Sequence, residues 1–312
     1  MEQLIVSFNA VVPLFIMMVM GYYASRTGLL SPGTVKEMNR YVFRVFFPIL
    51  VFYNIYQADL SGGINFKLLL FAGSAIVVFM AAVTFMYARI EQDPHKRGVM
   101  SQASFRSNFV SFVIPIAATL YGEKELGSLP LLIATMIPLL NTLSVICLEM
   151  FRGGTISLRK ILKGVAANPV IRASLIGIFL IITKIRMPYL LEKAVLDLSR
   201  AATPLSLIML GATFRFEAVK ENFRRLILAL SCKLIIFPAV TLPIAAALGF
   251  RGIDILGLLI LFGAPVADAS YSMAVQMDGD NELAAEVVVF SSLFSILTLF
   301  IWIFLLKNLA IL

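Results

Sequence analysis

The chain alternates long apolar runs with short polar connections. A membrane-crossing helix needs about 20 mainly apolar residues. Windows of that kind fall at 4–25, 36–56, 66–88, 99–120, 128–150, 168–185, 190–213, 226–248, 254–277 and 283–306, ten in all. The pattern predicts an all-α polytopic membrane protein with ten transmembrane helices and little chain left over for a soluble domain. The first run has no basic start and no small-residue cleavage site, so it is expected to be a retained span.

Two of the ten windows are interrupted. The ninth breaks at Gly263-Ala264-Pro265 and carries Asp268 three residues further on, where a lipid-facing helix would hold an apolar side chain. Unpaired backbone at membrane depth is tolerated only where protein or a water-lined cavity covers it, and a carboxylate there costs at least roughly 2.5–3.5 kcal/mol. The fourth window, SQASFRSNFVSFVIPIAATLYG, offers Arg106, Ser107, Asn108 and Ser111, with Pro115 expected to make one further break. Broken helices near mid-membrane build the substrate sites of secondary transporters.

The remaining windows read as supporting material. The third and eighth are nearly featureless apart from Pro238 and Pro243, and the second and seventh carry Arg44, Asp197 and Arg200. Asn141 and Glu149 lie on the fifth, Glu149 near its basic end and so expected to be solvated. Glu286, Ser291, Ser292 and Ser295 lie on the tenth, where the serines are expected to tie one helix to another. Arg44, Arg200 and Lys233 are read as snorkelling to an interface, with no role in the site.

A duplication lies beneath this pattern. Shifted by 156 residues, Pro13, Gly21, Pro32, Arg44 and Pro48 meet Pro169, Gly177, Pro188, Arg200 and Pro204. At an offset of 157, Gly122–Leu126 matches Gly279–Leu283 as GxxEL, and Asn108 falls opposite Pro265. These matches predict two five-helix repeats, 1–155 and 156–312. An odd number of spans per repeat inserts the second copy upside down, so the repeats are inverted. Half-helix N-termini meeting at corresponding breaks present N–H groups and a positive dipole end, a cradle for an anion.

Composition agrees with the membrane reading and narrows the function. Apolar residues make up 60% of the chain and charged residues 14%, with a mean hydropathy of +0.93. The net charge of +8 does not point to nucleic acid, because the basic residues sit between the windows. The odd-numbered connections hold fourteen, namely Arg26, Lys36, Arg40, Arg89, Lys96, Arg97, Arg152, Arg159, Lys160, Lys163, Arg215, Lys220, Arg224 and Arg225. The other side holds seven: Lys67, Lys124, Lys184, Arg186, Lys193, Arg251 and Lys307. The positive-inside rule then puts both termini on the extracytoplasmic side, and the membrane is expected to be the cell (inner) membrane. Cys147 and Cys232 are isolated and apolar in setting, and His95, the single histidine, lies in a charged connection. No HExxH, GxSxG or P-loop pattern is present, which argues against an enzyme.

Four stretches carry a resemblance: Asn108-x6-Pro115 followed by Tyr121-Gly122, the Asn168-Pro169 opening of the second half, ATPLSLIMLGATF at 202–214, and APVADASYSMAVQMDGD at 264–280. Together they resemble the auxin efflux carrier family in its bacterial branch, which is similar to malate and malonate permeases. The resemblance implies ten helices as two inverted repeats, with helices four and nine crossing at the membrane centre. It further implies a scaffold of helices one, two, six and seven beside a moving bundle of helices three to five and eight to ten, and pairing as a homodimer through the scaffold. The family's crossover asparagine falls on Asn108 and its crossover prolines on Pro115 and Pro265. Where members show glycines two and five residues after the asparagine, this chain has Val110 and Val113, which narrow close backbone approach.

The expectation is a secondary transporter of a small organic anion, a carboxylate, working by alternating access. Asn108, Ser111, Pro115, Pro265 and Ser270 are expected to surround the substrate, with Asn108, Ser111 and Ser270 donating hydrogen bonds. Asp268 is expected to carry the coupling proton, neutral when substrate is loaded. Sodium coupling is the alternative, as is a pairing of Asp268 with Arg106 that only holds the two helices together. No other cofactor and no metal are expected. A membrane sensor that binds the same ligand without moving it is the other class of function.

Overall fold

The computed structural model describes residues 2–57, 65–122, 127–152 and 158–312, and every regular element among them is helical. In chain order these are α1 (Glu2–Arg26), α2 (Pro32–Tyr41), α3 (Phe47–Tyr56), α4 (Phe66–Ile90), α5 (Pro94–Phe105), α6 (Phe109–Tyr121), α7 (Leu129–Phe151) and α8 (Leu158–Ala167). They continue as α9 (Pro169–Thr183), α10 (Tyr189–Thr213), α11 (Phe216–Ser231), α12 (Phe237–Ala247), α13 (Gly252–Gly263), α14 (Ala269–Gln276) and α15 (Asn281–Asn308). Residues 123–126 of the GxxEL match and the proposed repeat boundary at 155–156 lie outside the described residues.

Helix starts follow local chemistry. Ser31, Asn65, Asp93, Asn168 and Asp280 each accept a backbone N–H of the first turn they precede, and Pro32, Pro94 and Pro169 supply the first helical residue. Two π turns, at Val42–Phe46 and Cys232–Ile236, join α2 to α3 and α11 to α12. Each is followed by a Phe-Pro pair. Pro238 has no N–H to give the Leu234 carbonyl, and that carbonyl instead accepts Trp302 Nε1 of α15 at 3.0 Å.

Among the described residues, six segments are long and apolar enough to cross a membrane: Phe66–Ile90, Pro94–Tyr121, Leu129–Phe151, Tyr189–Thr213, Phe216–Ala247 and Asn281–Asn308. The pair Ile161–Ala167 and Pro169–Thr183, bent by 60°, makes a seventh. The ten windows of the sequence do not all survive as single spans, for physical reasons. The window at 36–56 is helical throughout but carries Lys36, Glu37, Arg40 and Arg44, and the window at 254–277 is divided into α13 and α14. Pro115 makes no break: α6 runs through it, and the proline is exposed. Membrane helices accommodate proline when neighbouring groups take up the freed carbonyl.

Two close helix contacts hold the molecule together. A Cβ on Gly21 of α1 would lie 1.9 Å from the carbonyl oxygen of Ile208 on α10, and one on Gly211 of α10 would lie 1.9 Å from that of Met18. The two backbones therefore touch, as small residues allow in membranes. Gly177 of α9 sits against α3 in the same manner, where a Cβ would meet the Phe52 carbonyl oxygen at 3.1 Å.

The connections sort to two ends. At one, Arg225 is bonded to Glu91, Arg152 to Asp278 at 2.8 Å, Arg215 to Glu282 at 3.1 Å, and Lys96 lies 3.8 Å from Asp280. At the other, Asn65 and Ser128 both bond Asp254, Lys67 bonds the Leu248 carbonyl, and Gly252 N–H donates to Ile311 O at 3.0 Å. The 25 residues of α4 run between them, a distance of about 37 Å at 1.5 Å per residue. Glu149, expected to be solvated, is instead bonded to Arg152 at 3.1 Å, with its side chain 10% exposed.

Candidate functional site

The site grows out of the two interruptions. The α5 helix stops at Phe105, Arg106 is extended (φ −72°, ψ 128°), and α6 restarts at Phe109. The α13 helix stops at Gly263 because Pro265 pushes Ala264 out of the helical region, to φ −68° and ψ 159°, and α14 starts at Ala269. The two breaks meet. Asn108 N–H donates to Pro265 O at 2.8 Å, and Ser107 Oγ to Ile260 O at 3.1 Å. Val266 N–H finds Ser291 Oγ of α15 at 3.0 Å. Broken backbone that would be costly in hydrocarbon is thus partnered by protein.

A cavity of about 190 Å³ opens beside this junction. Its polar lining comes from Arg106, Ser107, Asn108 and Ser111 at the first break and Asp268 at the second, with Asn54 of α3, Asn141 of α7 and Thr203 of α10 opposite. Phe47, Val51, Ile137, Leu140, Val170 and Met273 supply the apolar wall. The volume is below the range of about 300–1,000 Å³ usual for drug-sized ligands, so a small molecule fits it best.

Two buried side chains of opposite charge, Arg106 and Asp268, line the cavity. Arg106 is 5% exposed, and Nη2 donates to Asn141 Oδ1 at 2.8 Å, while Nε and Nη1 have no protein partner. Asp268 is 6% exposed, and its Oδ2 is likewise unpartnered. Among the described residues no lysine or arginine nitrogen lies within 4.0 Å of the Asp268 carboxylate, so the direct pair with Arg106 considered from the sequence is not formed. Ser111 Oγ donates to Asn108 Oδ1 at 2.9 Å, which turns the asparagine's oxygen to the serine and its NH2 away from it.

Of the residues singled out from sequence, Asn108, Ser111 and Asp268 line the cavity, and Pro265 stands behind it as the acceptor of the Asn108 N–H. Pro115 and Ser270 do not line it; Ser270 is buried with an unpartnered hydroxyl. Asn54 and Thr203 escaped the sequence reading, because single polar residues in apolar windows carry no sign of which way they face. Ser291 ties α15 to the second break, whereas Ser292 and Ser295 bond carbonyls of their own helix. Lys233 does not snorkel. It is fully buried, and Nζ donates to Phe262 O at 2.8 Å.

Residues 6–303 match the family described as membrane transport protein. The chain belongs to that family, the one that includes the auxin efflux carriers. This transporter is similar to two archaeal proteins, each named only as an uncharacterized transporter. That of Methanothermobacter thermautotrophicus is 25% identical over 306 residues, 95% of this chain and 97% of its own. That of Methanocaldococcus jannaschii is 23% identical over 316 residues, 97% of this chain and all of its own. With its apolar helices, the transporter is a multi-pass membrane protein.

Proposed function

We propose that this transporter is a secondary carrier of a small organic anion, a carboxylate, working by alternating access with a proton as the coupling ion. The observation that carries the reading is Arg106, a buried guanidinium that lines the cavity with two nitrogens unpartnered. A carboxylate accepts two parallel N–H bonds from such a fork, and buried donors without a partner favour a guest that accepts. The Asn108 NH2, oriented by the Ser111 hydroxyl that donates to Asn108 Oδ1, completes the cradle. Asp268 faces the same space and would repel a second negative charge, so it takes up the coupling proton as substrate loads. The reading assigns transport and no bond-making chemistry.

The reading includes ten helices in two inverted repeats that pack as scaffold and moving bundle. The glycine contacts support it: Gly21 against the Ile208 carbonyl and Gly177 against the Phe52 carbonyl are one contact displaced by 156 residues at both partners. Asn108 and Pro265, opposite each other at an offset of 157, bond directly, as positions beside a pseudo-twofold axis do.

Reconstitution into vesicles tests the reading. Uptake of small mono- or dicarboxylates driven by an imposed proton gradient is expected, with Arg106→Gln reduced at least about tenfold through loss of one charge-assisted bond. Asp268→Asn should bind the acid yet lose the response to the proton gradient. Binding without accumulation would assign the protein to the sensor class, and unaltered uptake by Arg106→Gln would end the anion-cradle reading.

A further inference from the structure

The end of α13 holds a second buried cation, far from the role a lysine usually has in a span. Pro265 has no N–H to offer the Leu261 carbonyl four residues back, and Val266 N–H, which would have served the Phe262 carbonyl, is bonded to Ser291 instead. Two adjacent carbonyls are therefore orphaned at the negative end of a helix dipole. Lys233, fully buried in the π turn after α11, answers both, with Nζ at 2.8 Å from Phe262 O and 3.5 Å from Leu261 O. The amine also stands 5.6 Å from the Phe237 ring centre, on a residue stacked against Phe79 and beside Phe262. Carbonyl oxygens and a π face are partners to which Nζ can only donate. Among the described residues no carboxylate lies within 4.0 Å of it.

Carbonyls freed at the C-terminal end of a broken helix are the ligands with which transporters of this general design hold Na⁺. We infer that Lys233 is a built-in cation for this helix end, occupying by its ammonium the place a coupling sodium ion would take, so that the break works without sodium. The positions opposite it at offsets of 157 and 156 are Ile76 and Val77, so the first break has no such lysine. There the cation is Arg106, which lines the cavity. The two breaks thus differ in kind: one cation serves the fold, the other is left for the guest.

The inference deepens the transport reading by naming an ion the site excludes, and its test does not depend on which acid is carried. The melting temperature of the purified wild-type protein should be the same in sodium, potassium and choline chloride. Lys233→Ala should melt lower, through loss of the bonds from Nζ to the Phe262 and Leu261 carbonyls. It should also gain a rise in melting temperature with Na⁺ or propylammonium, and none with tetramethylammonium, which has no N–H and is too large. Lys233→Arg should keep the sodium-independent profile, whereas Lys233→Met should not keep wild-type stability. Stabilisation of the wild type by Na⁺ over choline would overturn the inference even if no variant folds, as would a Lys233→Met protein as stable as the wild type. Failure to find a transported acid would leave these melting results readable and count against the carboxylate reading alone.

Discussion

Glu91 shows how a polar side chain near the membrane edge is put to use. Burial pulls its carboxyl upward, but the bonds from Arg225 and from the N–H groups of Asp93 and Gln92 outweigh this and hold it below its ordinary value of 4.5. A carboxylate depressed in the folded state stabilises fully above its unfolded value and loses that contribution as pH falls through the lowered one. Glu91→Gln is therefore expected to melt below the wild type at neutral pH, by about 1–2 kcal/mol for a charge-assisted bond. The gap should narrow as pH falls below 4.5, which thermal melts across pH would show. Asn108, Ser111 and Asp268 were legible in sequence because a polar residue in an apolar window needs a reason. Lys233 was misread for the opposite cause. A long cationic chain in a span has an ordinary explanation in snorkelling, and only the fold shows that its Nζ meets the carbonyls that Pro265 leaves unpaired, 28 and 29 residues away in sequence.

Helices here are positioned by what they lack. Gly21 and Gly211 let α1 and α10 meet backbone to backbone, with hypothetical Cβ contacts of 1.9 Å, whereas the tightest contacts at Gly177 are 3.1 Å. Gly21→Ala and Gly211→Ala should each destabilise by about 1–3 kcal/mol or more through overpacking, and Gly177→Ala by less. The order of melting temperatures among the three variants checks this, and a Gly177→Ala protein less stable than Gly21→Ala would contradict it. Breaks were readable at this scale where backbone chemistry forces them. Gly263-Ala264-Pro265 removes a donor and restricts the residue before it, and the helix stops there. Proline alone is a weaker sign: Pro115 sits inside continuous α6, and Pro238 yields a π turn whose freed carbonyl a tryptophan takes. The first break, at Arg106–Asn108, contains no proline and showed in sequence only as a polar cluster opposite the second.

At the scale of the whole molecule, the charge pattern along the chain and the contacts between connections describe the same two ends. The cluster of Glu91, Arg225, Arg152, Asp278, Arg215 and Glu282 joins the third, fifth, seventh and ninth connections. A second cavity, lined by Arg26, Lys36, Arg215 and Asp278, brings the first connection to that end. The second, fourth and eighth connections and the C-terminus meet at the other end, through Asp254 and Ile311, and Met187 of the sixth donates its N–H to the Tyr56 hydroxyl, just before the second, at 3.0 Å. Basic connections remain in the cytoplasm, so the end holding Arg26 and Arg225 is expected to face inward and both termini outward. Cysteine labelling tests this on a quiet background, because Cys147 and Cys232 are both buried. Leu29, Ile185 and Leu309 are 80%, 49% and 66% exposed, and single Leu29→Cys, Ile185→Cys and Leu309→Cys variants place a thiol in the first connection, the connection after α9 and the C-terminal tail. In intact cells a membrane-impermeant thiol reagent should modify Cys at 185 and 309 and reach that at 29 only after permeabilisation. Labelling of all three from one side would break the link between charge and orientation, and the reverse pattern would turn the whole arrangement over.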